Sequence, residues 1–219
     1  MKWFSNSSLV IEIAVMGLLL VASSLYAQTL QTAPMNRIDG KPLPSWAQAT
    51  LTRDGDAGYV AMTIHTKVGG EIWNIGPDEF LGINWKPKNA TTNWWLVFND
   101  PSKCTAPCNR DDVLAQRLGD VGHPAYGTIG LHWATGHIAT SGTWSSAGIL
   151  WEGNTENRVF GEPLWDAETA EIHLILRAHG PAKNLSPEEL VDAQTMVNGG
   201  CPPNDCSDAQ AAAFPPLAP

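Results

Sequence analysis

The chain has 219 residues and carries 13 Lys and Arg against 22 Asp and Glu, a formal charge of -9. That length gives one domain, with or without tails, and enough chain for a full hydrophobic core. The acidic balance argues against a nucleic-acid binder, which needs clustered Lys and Arg; 20 Gly, 16 Pro and 10 Trp argue against a coiled coil or a disordered chain.

Residues 1–27 carry the marks of a signal peptide: Lys2, an apolar run over 9–22, then small residues before Gln28. Glu12 inside the run and Leu25 three residues before the cut fit less well, so an uncleaved anchor is the competing reading. The apolar stretch after Glu12 is short beside the roughly 20 residues a span needs. The expectation is cleavage after Ala27, no membrane span thereafter, and a secreted or periplasmic location. Residues 28–57, with Pro34, Pro42 and Pro44, read as an extended lead-in. Residues 58–214 read as a single β-rich domain and 215–219 as a tail.

Within that domain the dominant period is two. In 59–67, Val60, Met62 and Ile64 share one face, and Thr63, His65 and Lys67 the other, a half-buried strand. Gly69-Gly70 turns the chain. Trp94-Trp95-Leu96-Val97-Phe98 is continuously apolar and short, which fits a central strand buried on both faces. Asn99-Asp100-Pro101 ends it, and a cysteine loop over 102–112 follows. Strands are expected at 128–138, 142–151 and 170–179; in the second of these neither face is clearly the core face, so its register stays open. One helix is expected, with Ser186 as N-cap, Pro187 at its first position, Glu188 and Glu189 against its positive end, and Asn198-Gly199-Gly200 as its stop. The run over 211–219 is low in complexity and Pro-rich. Short strands with one late helix predict an all-β fold, an antiparallel β-sandwich or small barrel with one short C-terminal helix.

Four cysteines in an exported chain point to disulfides before metal. Cys104 and Cys108 are spaced C-x3-C, and Cys201 and Cys206 C-x4-C. Two local pairs or either cross-pairing satisfy the count. Chain entropy favours the cross-pairings, worth nearly 5 kcal/mol against roughly 2 for a local loop, whereas proximity during oxidation favours the local ones. A zinc site of four thiolates lacks the usual C-x2-C spacing.

The stretch 171–179 segregates cleanly as a strand. Ile172, Leu174, Leu176 and Ala178 point one way; Glu171, His173, Ile175, Arg177 and His179 point the other. A solvated outer face and a polar functional site compete for this second set. His173 and His179 lie about 20 Å apart on a straight strand and cannot share an ion, while Glu171 and His173, roughly 7 Å apart, can belong to one site. His65, His132 and His137 are further candidates, and a set drawn from His65, His137, His173 and Glu171 has suitable chemistry for Zn or Cu. Asp100, Asp111 and Asp112 suggest Ca without matching an EF-hand spacing. Paired carboxylates for glycoside hydrolysis can be drawn from the acids of 152–171, most of which lie in a polar loop where acids are expected anyway. No G-x-S-x-G and no phosphate-binding glycine loop occurs. The scattered tryptophans are better explained as core than as a sugar platform.

Trp94-Trp95-Leu96-Val97-Phe98-Asn99-Asp100-Pro101 with Cys104 and Cys108, then Trp133-Ala134-Thr135-Gly136-His137, then 170–181 and Gly199-Gly200-Cys201 with Cys206, together resemble a family of uncharacterised secreted bacterial β-rich proteins. The resemblance covers roughly residues 59–214, with motifs that are specific in combination and weak singly. It implies a secreted β-rich domain with two disulfides and no stated activity. The layout also loosely resembles the chordin-type β-sandwich, whose His-rich signature is not reproduced, so this second likeness is analogy only.

Three functional readings follow: a non-catalytic exported domain binding an extracellular ligand or surface; a metal-binding protein or metalloenzyme using Zn or Cu on strand histidines; and an extracellular hydrolase. The first is the expectation, with Glu171, His173, Arg177, His179, His137 and His65 as candidate polar site residues.

Overall fold

The computed structural model describes residues 28–38, 40–68, 89–105, 107–139, 142–201 and 206–217. The proposed signal segment lies outside them. Among the described residues, ten strands form two antiparallel sheets: β1 (Thr29–Pro34), β2 (Asn36–Arg37), β3 (Gln48–Asp54), β4 (Tyr59–Lys67), β5 (Asn89–Phe98), β6 (Ile129–Ala139), β7 (Thr143–Trp151), β8 (Arg158–Gly161), β9 (Glu171–Pro181) and β10 (Ser207–Phe214). One sheet has the order β1-β3-β4-β7, the other β2-β10-β9-β5-β6-β8. Neither closes on itself, so the architecture is a sandwich and not a barrel.

Period-two alternation builds the space between the sheets. Val60, Met62 and Ile64 of β4 meet Trp95 and Val97 of β5 and Ile172, Leu174, Leu176 and Ala178 of β9 in one buried cluster. Strand β7 pairs with β4 and turns Trp144 and Leu150 inward, which settles its register. β5 is buried along its whole length because it is covered twice. Its other face, Trp94, Leu96 and Phe98, packs with Ile129, Leu131, Ala125 and Cys108 in a second cluster outside the six-stranded sheet.

Three expectations change. Residues 28–57 are not a lead-in: they supply β1, β2 and β3, with Ala49 and Leu51 in the core. The inward positions of β3 are Ala49, Leu51 and the charged Arg53, a set too small and too polar to stand out by hydrophobicity. A second helix, α1 (Arg110–Leu118), grows out of the cysteine loop, opened by an Asn109–Asp112 capping box and closed at Gly119, whose φ of 73° is left-handed. The expected helix, α2 (Pro187–Thr195), has its own Ser186–Glu189 capping box but is not the last element. The Ala-rich stretch after it completes β10, which pairs with β9. Both disulfides are local, Cys104–Cys108 and Cys201–Cys206, with Cα separations of 4.9 and 5.5 Å.

Candidate functional site

Because the Ile172–Ala178 set is wholly committed to the core, Glu171, His173, Ile175, Arg177 and His179 all face outward from the six-stranded sheet. That face is not a solvated one. Helix α2 packs on β5 and β6, and α1 packs on β6 and β8.

His179 is fully buried. Its Nδ1 lies 2.7 Å from the Gly199 carbonyl oxygen, which has no hydrogen to give, so Nδ1 must carry the proton and donate it. Nε2 lies 2.8 Å from Thr92 Oγ1, and Thr92 Oγ1 accepts from Trp94 Nε1 at 2.7 Å. The tryptophan N–H can only donate, leaving the threonine hydroxyl hydrogen for Nε2. The ring is therefore a neutral Nδ1–H tautomer in a relay from Trp94 through Thr92 to Gly199. Burial pushes its pKa down to about 4, opposing the raising effect of the Gly199 hydrogen bond.

Arg177 spends its fork on the same neighbourhood. Nε donates to Val197 O at 2.7 Å, one terminal nitrogen to Asp208 Oδ1 at 2.7 Å, and the other to Asn198 Oδ1 at 3.3 Å. Asp208 is its direct cross-strand partner on β10. Further along β9, His173 Nε2 lies 2.6 Å from Glu171 Oε1, and the imidazole rests against Phe98 with 4.9 Å between ring centroids. Glu171 and His173 thus form one pair, as their spacing allowed.

His65 and His137 do not join them. His65 is exposed on the outer face of the four-stranded sheet, beside Trp46 at 5.0 Å between centroids and bonded to Ser145 Oγ at 2.7 Å. His137 lies flat on Trp144, whose ring belongs to the core between the sheets; burial lowers the pKa of His137. His132 is buried, with Nε2 3.0 Å from the Glu162 carbonyl oxygen, and burial lowers its pKa as well. Two of the three acids proposed for Ca, Asp112 and Asp100, are otherwise engaged. Buried Asp112 accepts from Thr105 and Asn109 N–H groups, and Asp100 accepts from Ser102 and pairs with Lys103. The Ser102 hydrogen bond holds the Asp100 carboxyl below its usual pKa.

Beside Arg177 the outer face opens into a cavity of about 240 Å³. Its floor is Trp94, Leu96, Leu131 and Ile175; Val159, Phe160, Val113 and Val197 wall it; and Arg117, Arg177, Asn198 and Asp208 provide its polar rim. This is smaller than the usual pocket for drug-sized ligands, roughly 300–1,000 Å³. Arg177 and Ile175 were legible on the strand pattern. Arg117 was not, because no helix is expected beyond the cysteine loop over 102–112, and Asn198 and Asp208 reach the rim only through tertiary packing.

Among the described residues, His179, Cys201 and Cys206 form a group of three metal-type donors whose ligand atoms lie within 4.8 Å of one another; His65, His137, His173 and Glu171 form no such group. No described helix is long and apolar enough to cross a membrane. Compared with models of known protein families, with curated proteins and with solved structures, the chain matches none.

Proposed function

We propose that the chain is a non-catalytic exported binding domain whose ligand seat is the cavity on the outer face of the six-stranded sheet. The observation that carries this reading is the make-up of that cavity, an apolar floor under a rim of Arg117, Asn198 and the Arg177–Asp208 pair, with Arg117 as its uncompensated charge. Arg177 is held by three acceptors, so it is rigid before any ligand arrives. Arg117 is exposed on α1 and free to turn toward a guest. Such a seat fits a compact apolar molecule, or an apolar side chain, bearing one carboxylate or carbonyl group. Binding rather than catalysis is supported by the state of the proton-transfer residues. His179 is neutral and bonded at both ring nitrogens, and the Glu171–His173 pair does not line the cavity. The two disulfides accord with export.

The test is fluorescence of the floor tryptophan during titration with small aryl and branched-alkyl carboxylates and their neutral amides. Carboxylates should bind, the amides more weakly, and Arg117→Ala should narrow the difference. Ile175→Trp should fill the seat and abolish binding. Binding that survives Ile175→Trp, or absence of binding by every compound, would overturn the proposal.

A further inference from the structure

The geometry points to a second, redox-gated site: on reduction of the Cys201–Cys206 disulfide, the two thiolates and His179 Nδ1 bind one Zn(II)-type d10 ion. This stands independently of the ligand seat.

The donors already converge. His179 Nδ1 lies 3.5 Å from Cys206 Sγ, and the donor atoms of all three residues fall within 4.8 Å of one another. For zinc with Zn–S about 2.3 Å and Zn–N about 2.0 Å, a tetrahedral S···N edge is about 3.5 Å. The sulfurs must separate, Cys201 Sγ must close to the same edge from within 4.8 Å, and the Gly199 carbonyl must turn off the Nδ1 line it now occupies at 2.7 Å. Two thiolates and one imidazole form a set that borderline and soft metals prefer, and it leaves a fourth position open. The Gly199 carbonyl oxygen faces the same point, 2.7 Å from Nδ1 and 3.7 and 3.8 Å from the two sulfurs.

The ring is prepared for the exchange by its far side. In the oxidised protein Nδ1 carries the proton and Nε2 accepts from Thr92. Metal on Nδ1 requires the other neutral tautomer, with Nε2–H donating to Thr92 Oγ1. A hydroxyl oxygen has two lone pairs, so it accepts this bond beside the one from Trp94. Thr92 then becomes the outer partner that orients a ligating histidine.

The steps balance. A dithiol, such as that of an exported thiol–disulfide oxidoreductase, gives two electrons and two protons to the Cys201–Cys206 bond and leaves as its own disulfide. Zinc then displaces the two thiol protons, and the imidazole proton moves from Nδ1 to Nε2 with no net change. Both cysteines are half-buried rather than sealed, so a reductant has access. The bridge closes a sequence separation of only 5, and so short a loop constrains the unfolded chain little, so little of the fold rests on it.

The experiment uses the full chain carrying Cys104→Ser and Cys108→Ser, so that the first cysteine pair cannot bind metal. Oxidised and phosphine-reduced samples are titrated anaerobically with Co(II) and then Zn(II). The reduced protein should take one equivalent, with a thiolate-to-cobalt charge-transfer band that zinc bleaches, and the oxidised protein should show no such band. His179→Gln should weaken zinc binding roughly tenfold or more. Should that variant fail to fold, ¹⁵N spectra of the imidazole in the zinc-loaded parent decide the matter, since coordination moves the proton to Nε2. No band in the reduced protein, affinity indifferent to His179→Gln, or an unchanged Nδ1–H tautomer in the presence of zinc would each overturn the proposal.

Discussion

The ring of His137 lies flat on that of Trp144, 3.5 Å between centroids and 2° between planes. The two residues belong to β6 and β7, which occupy different sheets, so the stack fastens the corner where the chain crosses the sandwich. A directly superposed pair is the less favoured ring geometry, so the stack is worth at most about 1 kcal/mol beyond buried area. His137→Ala should therefore lower stability to denaturant by roughly that amount or somewhat more, while His137→Phe should retain most of it. Equal losses from Ala and Phe would show that the imidazole nitrogens, and not the stack, hold the corner.

His179 makes stability depend on pH in one direction. Its folded pKa of about 4 lies below the ordinary histidine value of 6.5. Above pH 6.5 the ring is neutral both folded and unfolded, and its full contribution is present. As pH falls from 6.5 toward 4, the unfolded chain takes a proton that the folded chain refuses, and stability drops by about 3 kcal/mol. His179→Gln removes that drop while costing about 1–3 kcal/mol at pH 7.5, where Thr92 or Gly199 loses its match. Denaturation curves of the two proteins at pH 7.5 and 4.5 check this. The gap between them should shrink on acidification; a gap that stays constant rules out His179 as the titrating group.

The strands that carry large hydrophobics on one face were legible in the sequence, and so was the core face of 171–179. Three things were not. The inward residues of β3 are Ala49, Leu51 and Arg53, and a guanidinium at a core position reads as solvent. Helix α1 shows a capping box in Asn109 and Asp112, but its short run begins two residues after Cys108, within the stretch 102–112 that the cysteine pair marks as a loop. The placing of His137 depends on a bulge. The pairing shifts between Asn93↔Thr135 and Trp94↔Trp133, so Ala134 is an extra residue on β6. Strict alternation puts His137 on the face of Trp133. The bulge reverses the faces beyond it and turns His137 inward onto Trp144, with Gly136 outward under α2. No sequence pattern at 131–137 announces that inserted residue.

Arg53 joins the sheets from inside the core. It is 1% exposed and donates to Gln31 Oε1 and to the carbonyls of Ala167, Ala170, Phe214 and Pro215, at 2.6–3.2 Å. Burial brings its pKa down to about 10, so it remains charged at neutral pH. Five acceptors arranged around one planar fork cannot be met by a lysine ammonium. Arg53→Lys and Arg53→Met should both destabilise by about 3 kcal/mol or more, leaving buried carbonyls unmatched. Thermal and denaturant unfolding measure it; rescue by Lys to within 1 kcal/mol of the parent would mean that charge, rather than the fork, matters.

Helix α2 rests on a glycine. A β-carbon at Gly136 would stand 2.0 Å from the Gln194 carbonyl oxygen, which also accepts from Trp133 Nε1 at 2.7 Å. Gln194 belongs to the last turn of α2, and Val197 and Asn198, just beyond it, wall the cavity beside Arg177. Gly136→Ala must therefore lift the helix end, break the Trp133 bond and loosen that wall together. The expected cost is about 1–3 kcal/mol, with faster amide exchange through 187–199 and altered Trp133 emission. Gly142→Ala serves as the comparison, since its β-carbon would approach only Val68 O, at 3.9 Å. If Gly136→Ala proves as mild as Gly142→Ala, α2 has room to slide over β5 and β6, and the wall it gives the cavity is not fixed by backbone contact.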